Sequence, residues 1–466
     1  MPRLFKTFLL SLALLPGAAG AQLPKEVAEG LRSAEIPLSN VAVVVQEVGA
    51  SRPSLTMNSH QPLNPASTMK LVTTYAALEL LGPAFRWKTE AYLDGDNLVL
   101  KGYGDPKLNY ESFWMLLRNL RGRGLREIRG DVILDRSRFA PVPDVPFDGE
   151  VYRPYNVVPD ALLVNFKSLR FTFLPSEGKV RVFVEPALPG LEVVNSLRIA
   201  DGACPEGRAF RDLIGAAFES KPKPRASFTG VYPAQCGEKD FNVALLSPED
   251  YAAGMIRQLW TEMGGNWKGK VREGIVPTGA RLIYTHESEP LGETVRDINK
   301  FSNNVMARQL FLTIAAELVR TPADPEAATL AIRQWLTLKN IRAPELVLEN
   351  GSGLSRNERL SAGNMAALLQ AAWKSPVMPE FVSSLPVVAA DGTMRKRMRG
   401  ERVAGSAHIK TGLLNEARAI CGYVLDRNGK RHVVVMIINH PRAPETDAVM
   451  DALLAWVYNG PTTGRR

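Results

Sequence analysis

A serine followed three residues later by a lysine is a spacing that can do chemistry. Ser67 and Lys70, in "NPASTMKLVTT", would share one face of a helix and lie within reach of each other. A neutral lysine amine could take the serine proton, and the resulting alkoxide could attack a carbonyl carbon. Neutrality requires Lys70 to fall by several units from the ~10.4 of a solvated lysine, through burial or a neighbouring cation. The spacing alone decides nothing, because Ser176/Lys179 and Ser220/Lys223 repeat it. The first of these spans a predicted hairpin turn, and the second contains Pro222, which does not fit a regular helix interior. Only Ser67 and Lys70 open a predicted helix, which runs from Pro65 to the stop signal Gly82-Pro83. At a helix N-terminus the Ser67 amide is also a free donor that could serve an oxyanion.

Two further motifs give that pair a context. Ser302-Asn303-Asn304 falls within the helical-looking "NKFSNNVMARQL", and Lys410-Thr411-Gly412 falls in "HIKTGLLNEARAI", where it leads into a strand. Ser-x-Asn also fits Ser355-Arg356-Asn357, whereas Lys-Thr-Gly occurs once in the chain. A helix-borne Ser-x-x-Lys, then Ser-x-Asn, then Lys-Thr-Gly on a strand is the ordered set of serine β-lactamases and penicillin-binding proteins. Lys410 would place a cation near Lys70 and Ser302, and Thr411 would offer a hydroxyl to a substrate carboxylate. Gly412 would let a substrate backbone approach the strand closely.

The elements that must position these residues suggest an α/β domain completed by both ends of the chain. "VAVVVQEVG" (41–49) is a β-branched strand near the start. "ARAICGYVLD" and "RHVVVMIINH" form a hairpin near the end, with an Asn428-Gly429 centre that favours a type I′ turn. A last helix over 445–458 presents Val449, Leu453, Leu454 and Val457 on one face. From about Trp87 to Tyr284 the text changes to short strands and Gly/Pro turns, with a break near Tyr155 to Pro159 that suggests one unit inserted into another. The expected division is a signal sequence over 1–21, a split catalytic domain over 22–86 and 285–466, and inserted units over 87–154 with 240–284 and over 155–239.

Arg3 and Lys6 precede an apolar run from Phe8 to Leu15, and Ala19-Gly20-Ala21 supplies small residues before Gln22. This predicts a cleaved secretory signal, since the run is shorter than the ~20 residues of a membrane span. The formal charge of +9 is spread without a basic block and suits an anionic surface such as cell-wall polymer; nucleic acid does not fit an exported chain. Of three cysteines, Cys204 and Cys236 lie in one polar, Pro-rich region and are expected to form a disulfide, while Cys421 reads as a buried apolar residue. Five histidines without a Gly-x-Ser-x-Gly elbow argue against a His-dependent serine hydrolase, and no paired His/Cys spacing suggests zinc.

With these motifs the chain resembles the class C low-molecular-mass penicillin-binding proteins, the D-alanyl-D-alanine carboxypeptidase/endopeptidase group that includes penicillin-binding protein 4. The likeness extends to "GYGDPKL" (102–108), "YNVVPDALLVNF" (155–166), "ENGSGLSRNERLSA" (349–362) and "DGTMRKR" (391–397). It also includes the long insertion between Lys70 and Ser302. The resemblance implies a transpeptidase-like α/β domain, an antiparallel sheet flanked by helices, with two β-rich inserted domains. It implies that Ser67 is acylated, Lys70 is its base, Ser302 and Asn304 relay protons and hold the substrate amide, and Lys410 and Thr411 receive a carboxylate. The amides of Ser67 and Leu413 would form the oxyanion hole, with Arg356 and Tyr155 in a side-chain pocket. It further implies no metal or organic cofactor, a periplasmic location, and at most peripheral membrane contact. The expected partners are peptidoglycan peptides ending in D-Ala-D-Ala, D-Ala crosslinks, and β-lactams. Leu413 departs from the Ser or Thr that usually follows Lys-Thr-Gly, which leaves the amide but removes a hydroxyl. Two readings compete: an idle peptidoglycan-binding protein with this fold, and a serine β-lactamase, against which the long insertion argues.

Overall fold

The computed structural model describes residues 23–205 and 207–461; the signal-sequence reading of residues 1–21 lies outside them. A five-stranded antiparallel sheet has the order Ala407–Leu414, Ala417–Leu425, Arg431–Asn439, Val41–Glu47, Leu55–Met57. The first and last parts of the chain meet in it through the pairing of Val41 with Ile438 down to Glu47 with His432. Both faces of these strands are buried, and successive residues alternate between two cores. Ala42, Val44, Ala419, Cys421, Val435 and Ile437 face one core, which includes the helices Lys70–Leu81, Asn304–Leu318 and Ala362–Trp373. Val43, Val45, Ile409, Ile420, Val434 and Met436 face the other, against the helices Lys25–Ser33 and Asp447–Tyr458. The helix Lys70–Leu81 is buried at every position from Lys70 to Leu78, so it lies inside the molecule and carries its lysine with it.

The hairpin between the last two strands differs from the expected type I′ turn. Gly429 has φ +80°, but Asn428 is not in the left-handed region that a type I′ turn requires of both central residues. The Asp426 carboxylate accepts from the amides of Asn428 and Lys430, and this anchor selects the turn.

The chain leaves for the inserted region along Lys88–Asp94 and returns along Arg281–Glu287, and these two strands pair antiparallel, from Lys88 with Glu287 onward. They belong to a second five-stranded sheet in which Asn97–Gly102, Val132–Asp135 and Val271–Glu273 run parallel. Beyond it lie two three-stranded sheets: Lys239–Val243, Leu169–Ser176, Lys179–Glu185, and Glu192–Ala200, Arg225–Pro233, Ile214–Glu219. All three sheets, with the helices Tyr110–Gly122 and Pro248–Glu262, contribute to one core containing Phe113, Phe171, Phe173, Phe228 and Trp260. The boundary expected between residues 239 and 240 falls within the strand Lys239–Val243, which pairs with Leu169–Phe173. Cys204 and Cys236 are joined by a disulfide, and Cys421 is a buried free thiol. No helix among the described residues is long and apolar enough to cross a membrane.

Candidate active site

Ser67 does not sit on a regular α-helix. It lies in a 3₁₀ turn, Ala66–Met69, that leads into the helix beginning at Lys70. The turn is fixed from behind. Asn64 exchanges hydrogen bonds with Asn439 of the sheet (2.7 and 2.9 Å), its amide group donates to the Ser355 carbonyl (2.8 Å), and its side-chain oxygen accepts from the Ala66 amide (2.9 Å). This cluster holds Ala66 at φ +48°, a conformation that L-residues seldom adopt without such support. Gly412 is needed here for a different reason from the one expected. A Cβ on it would meet the Pro65 carbonyl at 2.7 Å and Ala66 Cβ at 3.0 Å, so the glycine lets the strand Ala407–Leu414 close against the serine turn.

Lys70 is fully buried, and its ammonium makes three contacts: Ser67 Oγ at 3.0 Å, Asn304 Oδ1 at 2.6 Å and the Ser352 carbonyl at 2.5 Å. Two of these partners are fixed carbonyl-type acceptors and can only receive hydrogen bonds. Removal of one proton from Nζ would therefore leave the two N–H groups on Asn304 and Ser352 and aim the lone pair at the Ser67 hydroxyl. Burial, reinforced by the charges of Lys410 and Arg308 and opposed by Glu358, holds Lys70 well below the ordinary lysine value.

Ser302 also departs from the predicted helix. It is left-handed, with φ +56°, at the break where Leu291–Phe301 ends and Asn304–Leu318 begins. Asn303 caps the second helix by accepting from the Met306 amide, and this frees Asn304 to point at Lys70. Lys410 is fully buried on the strand and donates to Ser302 Oγ (2.8 Å) and to the Thr411 carbonyl (2.8 Å). Burial lowers its pKa to about 7. The neighbouring Cys421 thiol, opposite Lys410 in the sheet, is pushed by burial to about 12 and remains a thiol. Thr411 is bonded through its hydroxyl to Thr393 (2.9 Å), and Leu413 is 54% exposed on the sheet's edge strand.

Ser67, Lys70, Ser302, Asn304 and Lys410 are thus brought into one connected set, beside Thr411 and Gly412. Arg356 lies outside it, on the surface, with its guanidinium 5.3 Å from the centre of the Phe147 ring. Tyr155 is partly exposed and donates to Asp148 Oδ2. The decoy Ser176 pairs with Lys179 across a hairpin turn. Sequence reasoning missed four neighbours that set the lysine environment or hold the strand: Ser352, Arg308, Thr393 and Glu358. Glu358 is fully buried. Its Oε1 accepts from the amides of Glu349 and Asn350 (3.1 Å each), tying down the turn that presents the Ser352 carbonyl, while its Oε2 has no hydrogen-bond partner among the described residues. Nothing in "SRNERLSA" distinguishes this acid from a solvated one, because its burial is a tertiary property.

The model of the D-Ala-D-Ala carboxypeptidase 3 (S13) family matches residues 23–459. A D-alanyl-D-alanine carboxypeptidase of Actinomadura sp. (strain R39) is 28% identical, over 97% of this chain and 88% of its own length. The D-alanyl-D-alanine carboxypeptidase DacB of Haemophilus influenzae is 25% identical, over 93% of this chain and 91% of its own. In fold the chain is similar to the crystal structure of penicillin-binding protein 4 from Haemophilus influenzae, with a TM-score of 0.76 and 23% identity over 93% of this chain and 99% of that one. A second structure of that protein, complexed with a β-lactam, gives a TM-score of 0.72. With the family match running through both terminal parts and the whole insertion, the chain belongs to the D-Ala-D-Ala carboxypeptidase 3 (S13) family of serine-type hydrolases.

Proposed function

We propose that Ser67 is the nucleophile of a D-alanyl-D-alanine carboxypeptidase and endopeptidase, with Lys70 as its general base. The observation that carries this reading is the environment of Lys70: a buried amine with two fixed carbonyl acceptors and its third direction on Ser67 Oγ. Lys70 takes the Ser67 proton as Oγ adds to the carbonyl carbon between two D-alanines. The charge on the carbonyl oxygen falls between the amides of Ser67 and Leu413. When the C–N bond breaks, the leaving amine takes a proton through Ser302, whose hydroxyl Lys410 holds in place. The proton that reaches the amine is the one Lys70 took from Ser67, passed on through Ser302, so Lys70 is neutral again when water attacks the acyl-enzyme; it takes a proton from that water, and Ser67 Oγ regains one as the shortened peptide leaves.

The amide of Asn304 holds the substrate amide, the Thr411 hydroxyl takes the terminal carboxylate, and Arg356 and Tyr155 border the side-chain pocket. A β-lactam enters the same first step, but its leaving amine stays tethered after ring opening, so the acyl-enzyme persists. The substrates in this reading are stem peptides ending in D-Ala-D-Ala and D-Ala crosslinks, met in the periplasm after export. Intact-mass measurement after incubation with a penicillin tests it. One covalent adduct is expected on the wild type and none on Ser67→Ala; an unmodified wild type would falsify the acyl-enzyme.

A further inference from the structure

A cleft of about 1250 Å³ opens beside the candidate site, with Ser302 and Asn304 on one wall and the inserted region on the other. It exceeds the ~300–1,000 Å³ of an ordinary small-ligand site, more than a terminal dipeptide would fill. The far wall is the outer face of the sheet Lys239–Val243, Leu169–Ser176, Lys179–Glu185, whose inner face supplies Phe171 and Phe173 to the core.

Two neighbouring rows of this outer face differ. In one, Asp240, Thr172 and Phe183 lie side by side; Thr172 donates to Asp240 at 2.7 Å, and the guanidinium of Arg181, one row further on, lies 5.2 Å from the centre of the Phe183 ring, so these groups engage one another. In the next, Asn242 lies opposite Arg170, and Arg170 opposite Glu185, placing an amide, a guanidinium and a carboxylate side by side across three strands. All three are exposed and line the cleft, and none makes a side-chain hydrogen bond or ion pair among the described residues. Oppositely charged neighbours that leave each other free are available to a ligand carrying both signs of charge. Phe183 on this wall (43% exposed) and Phe301 on the opposite wall (67% exposed) add two aromatic surfaces.

We propose that the cleft binds the second stem peptide of a crosslinked substrate. Arg170 takes a free carboxylate of that strand, Glu185 the side-chain amine that the crosslink leaves free on the first strand, and Phe183 and Phe301 the apolar surface of the second. Continuity with Ser302 and Asn304 favours this occupant, since whatever fills the cleft is led to the reacting bond. The inference rests on the acyl-enzyme reading above and adds the residues that hold the second strand of its crosslinked substrate.

Arg170→Glu and Phe183→Ala test it, both being surface changes outside the catalytic set. For each, three rates are compared: acylation by penicillin, release of D-alanine from an uncrosslinked pentapeptide, and cleavage of a crosslinked muropeptide dimer. The expected result is a drop of about tenfold in kcat/KM on the dimer, with the other two rates within about twofold of wild type. Equal losses on all three substrates, or an unchanged dimer rate in Arg170→Glu, overturn the proposal. A wild type that takes penicillin but leaves the dimer intact overturns this inference and the endopeptidase activity above while the acyl-enzyme stands; one that takes no penicillin removes all three.

Discussion

Lys300 and Lys70 are both almost or wholly inaccessible to solvent, and only one of them is built for proton transfer. Lys300, 5% exposed, donates to Asp391 Oδ2 and to the Leu385 carbonyl, each at 2.7 Å, and so ties the end of its helix to the loop that carries Thr393. Burial would raise the Asp391 carboxyl, but the Lys300 hydrogen bond and the Val387 amide hold it below its usual value. Lys70 touches no carboxylate: its contacts are a hydroxyl, a side-chain amide and a backbone carbonyl, and the cations Lys410 and Arg308 act on it. Burial alone therefore does not mark a catalytic lysine. What marks it is burial among neutral acceptors, which solvate an amine nearly as well as an ammonium and leave the proton free to go.

The largest test of that contrast is Lys70→Met. It removes the base while keeping the side-chain volume, and acylation by penicillin should fall by about 10³-fold. The thermal midpoint should fall only modestly: Asn304 Oδ1 and the Ser352 carbonyl lose a donor and Glu358 a nearby cation, while the cost of burying the amine is removed. Normal acylation in this variant would mean that another group accepts the Ser67 proton. Lys300→Met should behave in the opposite way. Asp391 is part exposed, so breaking the ion pair should lower stability by about 2 kcal/mol in denaturant unfolding, between the values for exposed and buried pairs. The acid limb of the acylation profile should not move. A limb that shifted with Lys300 would erase the distinction between the two lysines.

The same contrast explains what could be read from the chain. Ser67, Lys70, Ser302, Asn304 and Lys410 were legible because each belongs to a short motif whose order is informative. The terminal strands were legible because "VAVVVQEVG" and "RHVVVMIINH" are β-branched runs, and both prove to be buried on two faces. The local backbone was not. Helical periodicity continues through Ser67 and Ser302, but Asn64 and Asn303 redirect the chain at each, one through long-range bonds and one through a cap. Only its motif sets Lys70 apart in the sequence; that Lys300 is nearly as buried and paired with Asp391 is decided by packing alone. The row Asn242, Arg170, Glu185 was invisible for a related reason: the register of three strands sets it, and the expected boundary at 239/240 runs through one of them.

The smallest expected effect concerns Glu358, a buried carboxylate whose charge acts on Lys70. Glu358→Gln keeps an oxygen to accept the amides of Glu349 and Asn350 but removes the charge. Burial already raises the Glu358 carboxyl, and Lys70 and those two amides oppose that rise, while Glu349 adds to it. With the anion gone, Lys70 faces only the cations Lys410 and Arg308, so it should lose its proton at lower pH. Acylation requires neutral Lys70; its acid limb should therefore move to lower pH, and on that limb the variant should react a few-fold faster than wild type at the same pH. Above the limb the rates should coincide. Glu358→Ala should instead lower the rate at every pH, because the turn carrying the Ser352 carbonyl loses its anchor. Acylation rates measured by mass across a pH series separate the two outcomes, and an acid limb that stays in place in Glu358→Gln would show that this carboxylate anchors the turn without setting the basicity of Lys70.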